Sequence, residues 1–116
     1  MPNPVFEFQM ISKDPEATAA FYSDLFGWKI NAANAMGYRR IENDVGIRGG
    51  IWPAPPQAPN FVQLFTAVED VAATIRAAEA LGAKVIIPAT VLPEGDEMAF
   101  LHDPQGMSFA ICRRAK

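Results

Sequence analysis

The residue types that could carry chemistry lie in two strand-like segments. Glu7 and Gln9 fall in FEFQMIS and share one face, because successive side chains of a strand alternate between faces. A carboxylate there could serve as a general base or a metal ligand, and an amide could hydrogen-bond to a ligand. Gln63 occupies the matching place in FVQLFTA, since it stands seven residues before Asp70 as Glu7 stands seven before Asp14. Glu7 is therefore the candidate catalytic residue.

A capped helix follows the first strand. Asp14 can accept a hydrogen bond from an unpaired backbone N–H, Pro15 suits the first helical position, and Gly27 suits a left-handed stop. The predicted helix runs from Pro15 to Phe26. Its apolar stripe is expected to cover the face of the strand formed by Phe6, Phe8 and Met10, and consists of Ala17, Ala20, Phe21 and Leu25. The candidate carboxylate and amide then lie on the other side of the sheet.

The remaining pattern predicts further strands and a second helix. In the first half the strands are Trp28–Ala32, Gly37–Glu42 and Gly46–Pro53, with a turn over Asn34 to Gly37. Residues 53–59 hold four prolines and predict an extended, semi-rigid connector. The second half predicts strands Phe61–Ala67, Lys84–Ile87, Met98–His102 and Met107–Arg113, and a helix with the stripe Val71, Ile75, Ala78 and Leu81.

The predicted order in each half is thus strand, helix and three strands. The same order in both halves indicates an internal repeat. We expect one α+β domain over residues 1–116, with module one at about 3–54 and module two at about 60–114. The sheet faces left uncovered by the helices are expected to form a curved wall around a cleft. Side-chain alternation predicts the lining of this cleft as Glu7, Gln9, Arg48, Gly50, Trp52, Phe61, Gln63, Phe65, Ser108 and Ala110.

Composition narrows the class of function. The formal net charge of −3 and the pI near 5.0 give no support to nucleic-acid binding, which usually requires a basic patch. One cysteine, Cys112, and a start without an apolar segment lead us to expect a cytoplasmic location. No run of apolar residues is long enough to predict a membrane helix.

Three segments carry a resemblance to a known family. DPEATAAFYSDLFGW near the start, VEDVAATIRAAEALGAKV after the connector and FLHDPQGMSF near the end together resemble the vicinal oxygen chelate superfamily. This superfamily includes glyoxalase I, bleomycin- and fosfomycin-resistance proteins and extradiol dioxygenases. The resemblance implies two paired βαβββ modules, often assembled as a homodimer, with a small-molecule ligand in the cleft.

The resemblance also implies where a metal ion would bind. Metal-using members supply ligands at the places of Glu7 and Gln63 here, and a glutamate at a position that corresponds to Ala110. The equivalent place in the first half is Gly50. Alanine and glycine have no side-chain donor, so two protein oxygens remain for a divalent metal, fewer than ordinary catalytic sites provide. We therefore favour no cofactor, and a bound metal would use Glu7 and Gln63.

Several residues keep a purely structural interpretation beside the functional one. Glu7 could be a cleft carboxylate paired with Arg48, and Gln63 could be a hydrogen-bonding residue on the floor of the cleft. The aromatic residues Trp52, Phe61 and Phe65 could form a ligand pocket or a hydrophobic seam between modules or chains.

Three hypotheses of function follow. The favoured one is a protein that binds a small organic molecule without a tightly held metal, for sequestration or sensing. The second is a divalent-metal-dependent lyase, isomerase or dioxygenase-type enzyme that uses Glu7. The third is a protein whose cleft is filled by its own side chains and whose role is association.

Overall fold

A computed structural model describes residues 2–32 and 38–115. These residues form eight strands and two helices, in the order β1 (Val5–Ser12), α1 (Pro15–Phe26), β2 (Ile30–Asn31), β3 (Arg39–Ile41), β4 (Arg48–Pro53), β5 (Phe61–Ala67), α2 (Val71–Ala80), β6 (Lys84–Val91), β7 (Glu97–His102) and β8 (Ser108–Arg113). The turn predicted over Asn34 to Gly37 lies in residues 33–37, outside the described part of the chain. The α+β class and the repeated βαβββ order are confirmed.

The strands belong to one mixed sheet with the order β2-β3-β4-β1-β5-β8-β7-β6. In each half the first and last strands are parallel neighbours, β1 with β4 and β5 with β8, and the other two strands add antiparallel. The chain separates into two compact units. We call Glu7–Gln63 the first unit, and Met1–Phe6 together with Leu64–Lys116 the second unit.

Helix α1 begins and ends at the predicted residues. The side chain of Asp14 accepts a hydrogen bond of 3.1 Å from the backbone N–H of Ala17, and Pro15 stands at the first turn. Gly27 ends the helix with a φ of 70°, the left-handed conformation that favours glycine.

The predicted apolar stripe of α1 is wrong, because all four of its residues are exposed. Ala19 is the buried residue of this helix, whereas Phe21 and Leu25 are each 58% exposed. Two polar contacts fix the rotation of the helix: Ser12 Oγ lies 2.6 Å from Thr18 Oγ1, and Ser23 Oγ donates to the carbonyl of Trp28 over 3.0 Å. The face against the sheet therefore consists of the buried or half-buried residues Pro15, Thr18, Ala19, Tyr22 and Ser23.

Helix α2 packs on the second unit largely as predicted. Val71 is buried in a cluster with Ala99, Leu101 and Ile111, and Ile75 and Ala78 pack against that cluster. Leu81, the fourth residue of the predicted stripe, is 80% exposed because the helix has already ended at Ala80.

The connector between the halves is not extended throughout. Ala58 donates its backbone N–H to the carbonyl of Pro55 over 3.0 Å, and Gln57 has a φ of 68°. A backbone turn thus interrupts the proline-rich segment, since proline fixes its own φ but leaves the residues between prolines free to turn.

Candidate functional site

The register of β1 on β4 decides which side chains of the first unit lie away from the helix. Phe8 and Met10 pack with Ala19 and Ile51 in the cluster beneath α1. The alternate residues of the same two strands therefore lie on the opposite face. Across the two strands this face pairs Glu7 with Arg48, Gln9 with Gly50, and Ile11 with Trp52.

Phe6 was predicted to share the helix-facing side of β1 with Phe8 and Met10, but it does not. Phe6 is not part of the cluster beneath α1 and instead stacks on Phe65, with ring centroids 5.2 Å apart. The backbone N–H of Ala67 donates to the carbonyl of Pro4 over 2.9 Å, so the start of β1 is held against the end of β5. The guanidinium of Arg114 lies 4.9 Å from the centroid of the Phe6 ring.

A pair of buried amides lies at the centre of the first unit. Gln63 Nε2 donates to Gln9 Oε1 over 2.8 Å, and the two residues are 2% and 0% exposed. Gln9 Nε2 is also buried, yet it has no hydrogen-bond partner in the described part of the chain. Buried polar groups are nearly always hydrogen-bonded, and an unpaired one costs about 1–3 kcal/mol. This donor is therefore the polar atom of the face that most needs an acceptor.

Gly50, next to Gln9 in the sheet, leaves space for no more than a methyl group. From β4 it is the register partner of Gln9 on β1 and of Arg40 on β3. A Cβ placed on Gly50 would have Trp52 Nε1 as its nearest neighbour, at 3.4 Å, and the carbonyl oxygen of Arg39 at 3.6 Å. The polar edge of the indole thus faces this space.

Two residues of this face were not among the predicted site residues. The ring of Tyr38 stacks on Trp52, with centroids 4.5 Å apart and planes 5° apart, and Arg40 Nη2 donates to Tyr38 Oη over 2.8 Å. Arg40 alternates with the buried Ile41 on β3, so it lies on the face away from α1.

The neighbouring glycine has the opposite surroundings. A Cβ on Gly49 would overlap the ring of Phe8, which packs beneath α1. The paired glycines of β4 therefore serve two faces: Gly49 admits an aromatic ring on the helix side, and Gly50 leaves room on the polar side. At Gly49 the missing side chain lets the Phe8 ring approach the backbone closely.

The predicted site residues fall into two groups. The first unit contains Glu7, Gln9, Arg48, Gly50, Trp52, Phe61 and Gln63, and all alternate onto the face away from α1. The second unit contains Phe65, Ser108 and Ala110. There Phe65 lies beside Ala110 in the parallel pair, and Ala110 lies opposite Phe100.

The face of the second unit away from α2 is apolar. Ala99, Leu101 and Ile111 lie beneath α2, so the alternate residues of β7 and β8 lie on the other face. The buried residues there are Phe65, Met98, Phe100, Ala110 and Cys112, each no more than 4% exposed. Ser108 is half-buried at the end of this row, opposite His102.

The donors required by a metal ion are sparse. In residues 2–32 and 38–115, no three His, Cys, Asp or Glu side chains lie close enough together to hold an ion. Gly50 and Ala110, where the resemblance implies further metal ligands, are both buried and have no side-chain donor atom.

Within the described residues, neither helix has the length and apolar character needed to cross a membrane.

Comparison with known proteins places the chain in a family. A model of the glyoxalase-like domain matches residues 7–112. CFP32 of Mycobacterium bovis, whose name contains the word glyoxylase, is 30% identical over 111 residues, which is 92% of this chain. This chain spans only 42% of that relative. A glyoxylase-like domain-containing protein of Didymella fabae is 32% identical over 110 residues, 87% of this chain and 86% of the relative.

A solved structure agrees with the fold. A glyoxalase/bleomycin resistance protein/dioxygenase superfamily member from Vibrio splendidus superposes with a TM-score of 0.66 at 12% identity, over 97% of this chain and 100% of that one. The resemblance found in the three sequence segments is confirmed, and the chain belongs to the glyoxalase-like domain family of this superfamily.

Proposed function

We propose that this protein binds a small organic molecule on the face of the first unit away from α1, without a tightly held metal ion. We call this the polar face; its members are Glu7, Gln9, Tyr38, Arg40, Arg48, Gly50, Trp52, Phe61 and Gln63. The observation that carries the proposal is the buried amide donor of Gln9, which lacks an acceptor among the described residues.

The buried amide pair is evidence for ligand binding, because it is a poor source of folding stability. If packing alone had shaped this position, an apolar side chain would avoid the cost of a buried, unpaired N–H. A ligand oxygen, or a water bound with it, would supply the acceptor. Binding would then recover the energy that folding leaves unsatisfied.

The donor chemistry supports binding without metal. Glu7 and Gln63 offer two oxygen atoms for an ion, but Gly50 and Ala110 offer none. The side-chain amide of Gln63 is already engaged, because its Nε2 donates to Gln9 Oε1. These residues do not fit a tightly held ion, so the proposed activity is sequestration or sensing of the ligand.

Amide-resolved NMR tests this proposal. Isotope-labelled protein dialysed against chelator is titrated with a panel of aromatic fragments of different charge. We expect ligand-dependent shifts of the side-chain amide resonances of Gln9 and Gln63. Shifts confined to the second unit, or an absence of binding by any fragment, would contradict the proposal.

An enzyme that uses Glu7 is the second candidate. Its support is the half-buried position of Glu7 on the polar face, beside Arg48, and the glyoxylase names of the relatives. Replacement of Glu7 by Gln separates the two candidates. A binding protein keeps its ligand affinity within a few fold, whereas an enzyme loses turnover. The control is Glu79→Gln, on the exposed surface of α2.

Association with a second copy stays a prediction. The helix α1 leaves Phe21, Leu25 and Phe26 between 58% and 59% exposed, and apolar surface of this kind is compatible with a homodimer. Native mass spectrometry measures the number of chains directly. The cytoplasmic location also stays a prediction.

A further inference from the structure

We infer that Gln63 is a positioning residue: it fixes which hydrogen-bonding group Gln9 presents on the polar face, so that this face selects ligands with an uncharged acceptor atom. This inference deepens the proposed function and rests on it. It names the chemical class of the ligand and the residue that determines the preference.

The buried amide pair has two possible arrangements, because each glutamine side chain has one carbonyl oxygen and one NH₂ group. In the first, Gln63 donates to Gln9 and leaves the Gln9 nitrogen open. In the second, Gln9 donates to Gln63 and leaves the Gln9 oxygen open. The structure has the first arrangement: Gln63 Nε2 lies 2.8 Å from Gln9 Oε1, and Gln9 Nε2 has no partner among the described residues.

Burial makes this arrangement consequential. Gln9 is 0% exposed and Gln63 is 2% exposed, so neither side chain is open to bulk water as a substitute partner. If Gln9 turned around alone, two amide nitrogens would face each other and the bond of 2.8 Å would be lost. Gln63 therefore holds Gln9 with its nitrogen toward the unsatisfied side, and the group left open is a donor.

The surroundings of this donor favour an uncharged acceptor. The amide pair is neutral, so a charged ligand atom would lose its hydration and gain only a bond to a neutral group. The carboxylate of Glu7 lies on the same face, about 7 Å along the strand from Gln9. Arg40, across Gly50 from Gln9, already donates to Tyr38 Oη over 2.8 Å. A carbonyl oxygen or an aromatic ring nitrogen is therefore the expected acceptor.

Access to the donor requires a neighbouring side chain to move, because Gln9 is fully covered. Glu7 and Trp52 lie on the same face and are half-buried, so they border solvent. Trp52 Nε1 lies beside Gly50, the register partner of Gln9. We therefore expect the Trp52 indole N–H to report the arrival of a ligand together with the Gln9 amide.

The test compares three flat, uncharged probes of similar size. Quinoline, titrated above the pKa of its ring nitrogen, has an acceptor; indole has a donor N–H; naphthalene has neither. Each is titrated into isotope-labelled protein and followed by NMR at the side-chain amides of Gln9 and Gln63. We expect quinoline to bind about tenfold more tightly than naphthalene, the effect of one hydrogen bond. Indole should bind no more tightly than naphthalene.

Two variants separate the donor from the residue that positions it. Gln9→Met removes the donor, so quinoline should lose about tenfold in affinity while naphthalene changes by less than about threefold. Gln63→Met leaves Gln9 free to turn, so the ratio of the quinoline and indole affinities should fall from about tenfold to within about threefold. A purely structural role of Gln63 would weaken all three probes alike and leave this ratio unchanged.

A matched control is available in the second unit. Gln105→Met, in the exposed turn before β8, should change neither the affinities nor their ratio. The order of the three probes in the original protein is itself a test and needs no variant.

The outcomes distinguish this inference from the proposed function. If indole binds at the polar face as tightly as quinoline, or Gln63→Met keeps the original ratio, the inference is overturned while binding at that face stands. If neither these probes nor the wider panel shifts the amide resonances of Gln9 and Gln63, both fall.

Discussion

The two halves of the chain share an order of elements but differ in the face that each turns away from its helix. In the second unit this face is apolar and buried, with Phe65 beside Ala110 and Phe100. In the first unit the corresponding face has a buried amide pair, Gln9 and Gln63, in a setting of charged and aromatic residues. The repeated pattern therefore determines the fold, and a few residues on one strand face determine where a ligand could bind.

Gly50 in the first unit and Ala110 in the second show the same difference between the two faces. Gly50 lies beside polar donors, whereas Ala110 is enclosed by aromatic rings in register with it. The resemblance to the superfamily implies that metal-using members supply ligands at these two positions. The two positions have different surroundings: Gly50 leaves space for a methyl group in the first unit, and Ala110 belongs to the buried apolar face of the second unit.

The largest expected effect comes from a charge placed in the apolar face. Ala110→Glu should destabilise the protein by about 3 kcal/mol or more, because the carboxylate would be buried without a partner between Phe65 and Phe100. Urea denaturation measures the loss. Ala77→Glu on the exposed surface of α2 is the control and should change stability by less than about 0.5 kcal/mol. A stability unchanged by Ala110→Glu would mean that this face is open to water.

The two adjacent glycines should respond differently to alanine. Gly49→Ala should destabilise by about 1–3 kcal/mol, since the new methyl group would displace the Phe8 ring from the cluster beneath α1. Gly50→Ala meets its neighbours at 3.4 Å and 3.6 Å and should be nearly neutral. Equal losses in the two variants, measured by thermal unfolding, would show that the space at Gly50 is already filled.

The amide pair should behave as a coupled unit. Gln63→Met alone removes the donor to Gln9 Oε1, leaves the buried Gln9 amide without this bond and should cost about 1–2 kcal/mol. The double variant Gln9→Met with Gln63→Met leaves no buried amide and should return to within about 1 kcal/mol of the original protein. Additive losses across this double-mutant cycle would instead assign each amide an independent structural role.

The smallest effect is expected on the outer face of α1. Leu25→Gln should change stability by less than about 0.5 kcal/mol, because Leu25 is 58% exposed. Ala19→Gln provides the comparison and should be clearly destabilising, since Ala19 is the buried residue of α1 and packs with Ile41 and Ile51. A large loss for Leu25→Gln at low protein concentration would indicate that this face is covered by another chain.

Much of the fold was predictable from local chemistry. Asp14, Pro15 and Gly27 mark the ends of α1 because capping depends on neighbouring residues alone. The rotation of α1 was not predictable in the same way. Both candidate stripes contain apolar residues, and the choice depends on the contacts of Ser12 with Thr18, which are set by tertiary structure.

The candidate site was predictable only in part. Alternation along β1, β4 and β5 is enough to place Gln9, Gly50 and Gln63 on one face. The contribution of Tyr38 and Arg40 required the register of β3 on β4, which sequence spacing does not specify through an intervening loop. The unpaired state of the Gln9 nitrogen depends on side-chain packing and has no sequence signal at all.

The most direct test of binding without metal is a single titration performed twice. The same fragment is titrated by calorimetry into chelator-treated protein and into protein supplied with zinc, manganese or iron, with the metal content of each sample measured. We expect equal affinities and well under one ion per chain before metal is added. A stoichiometric ion retained through purification, with ligand binding only in its presence, would contradict the proposal.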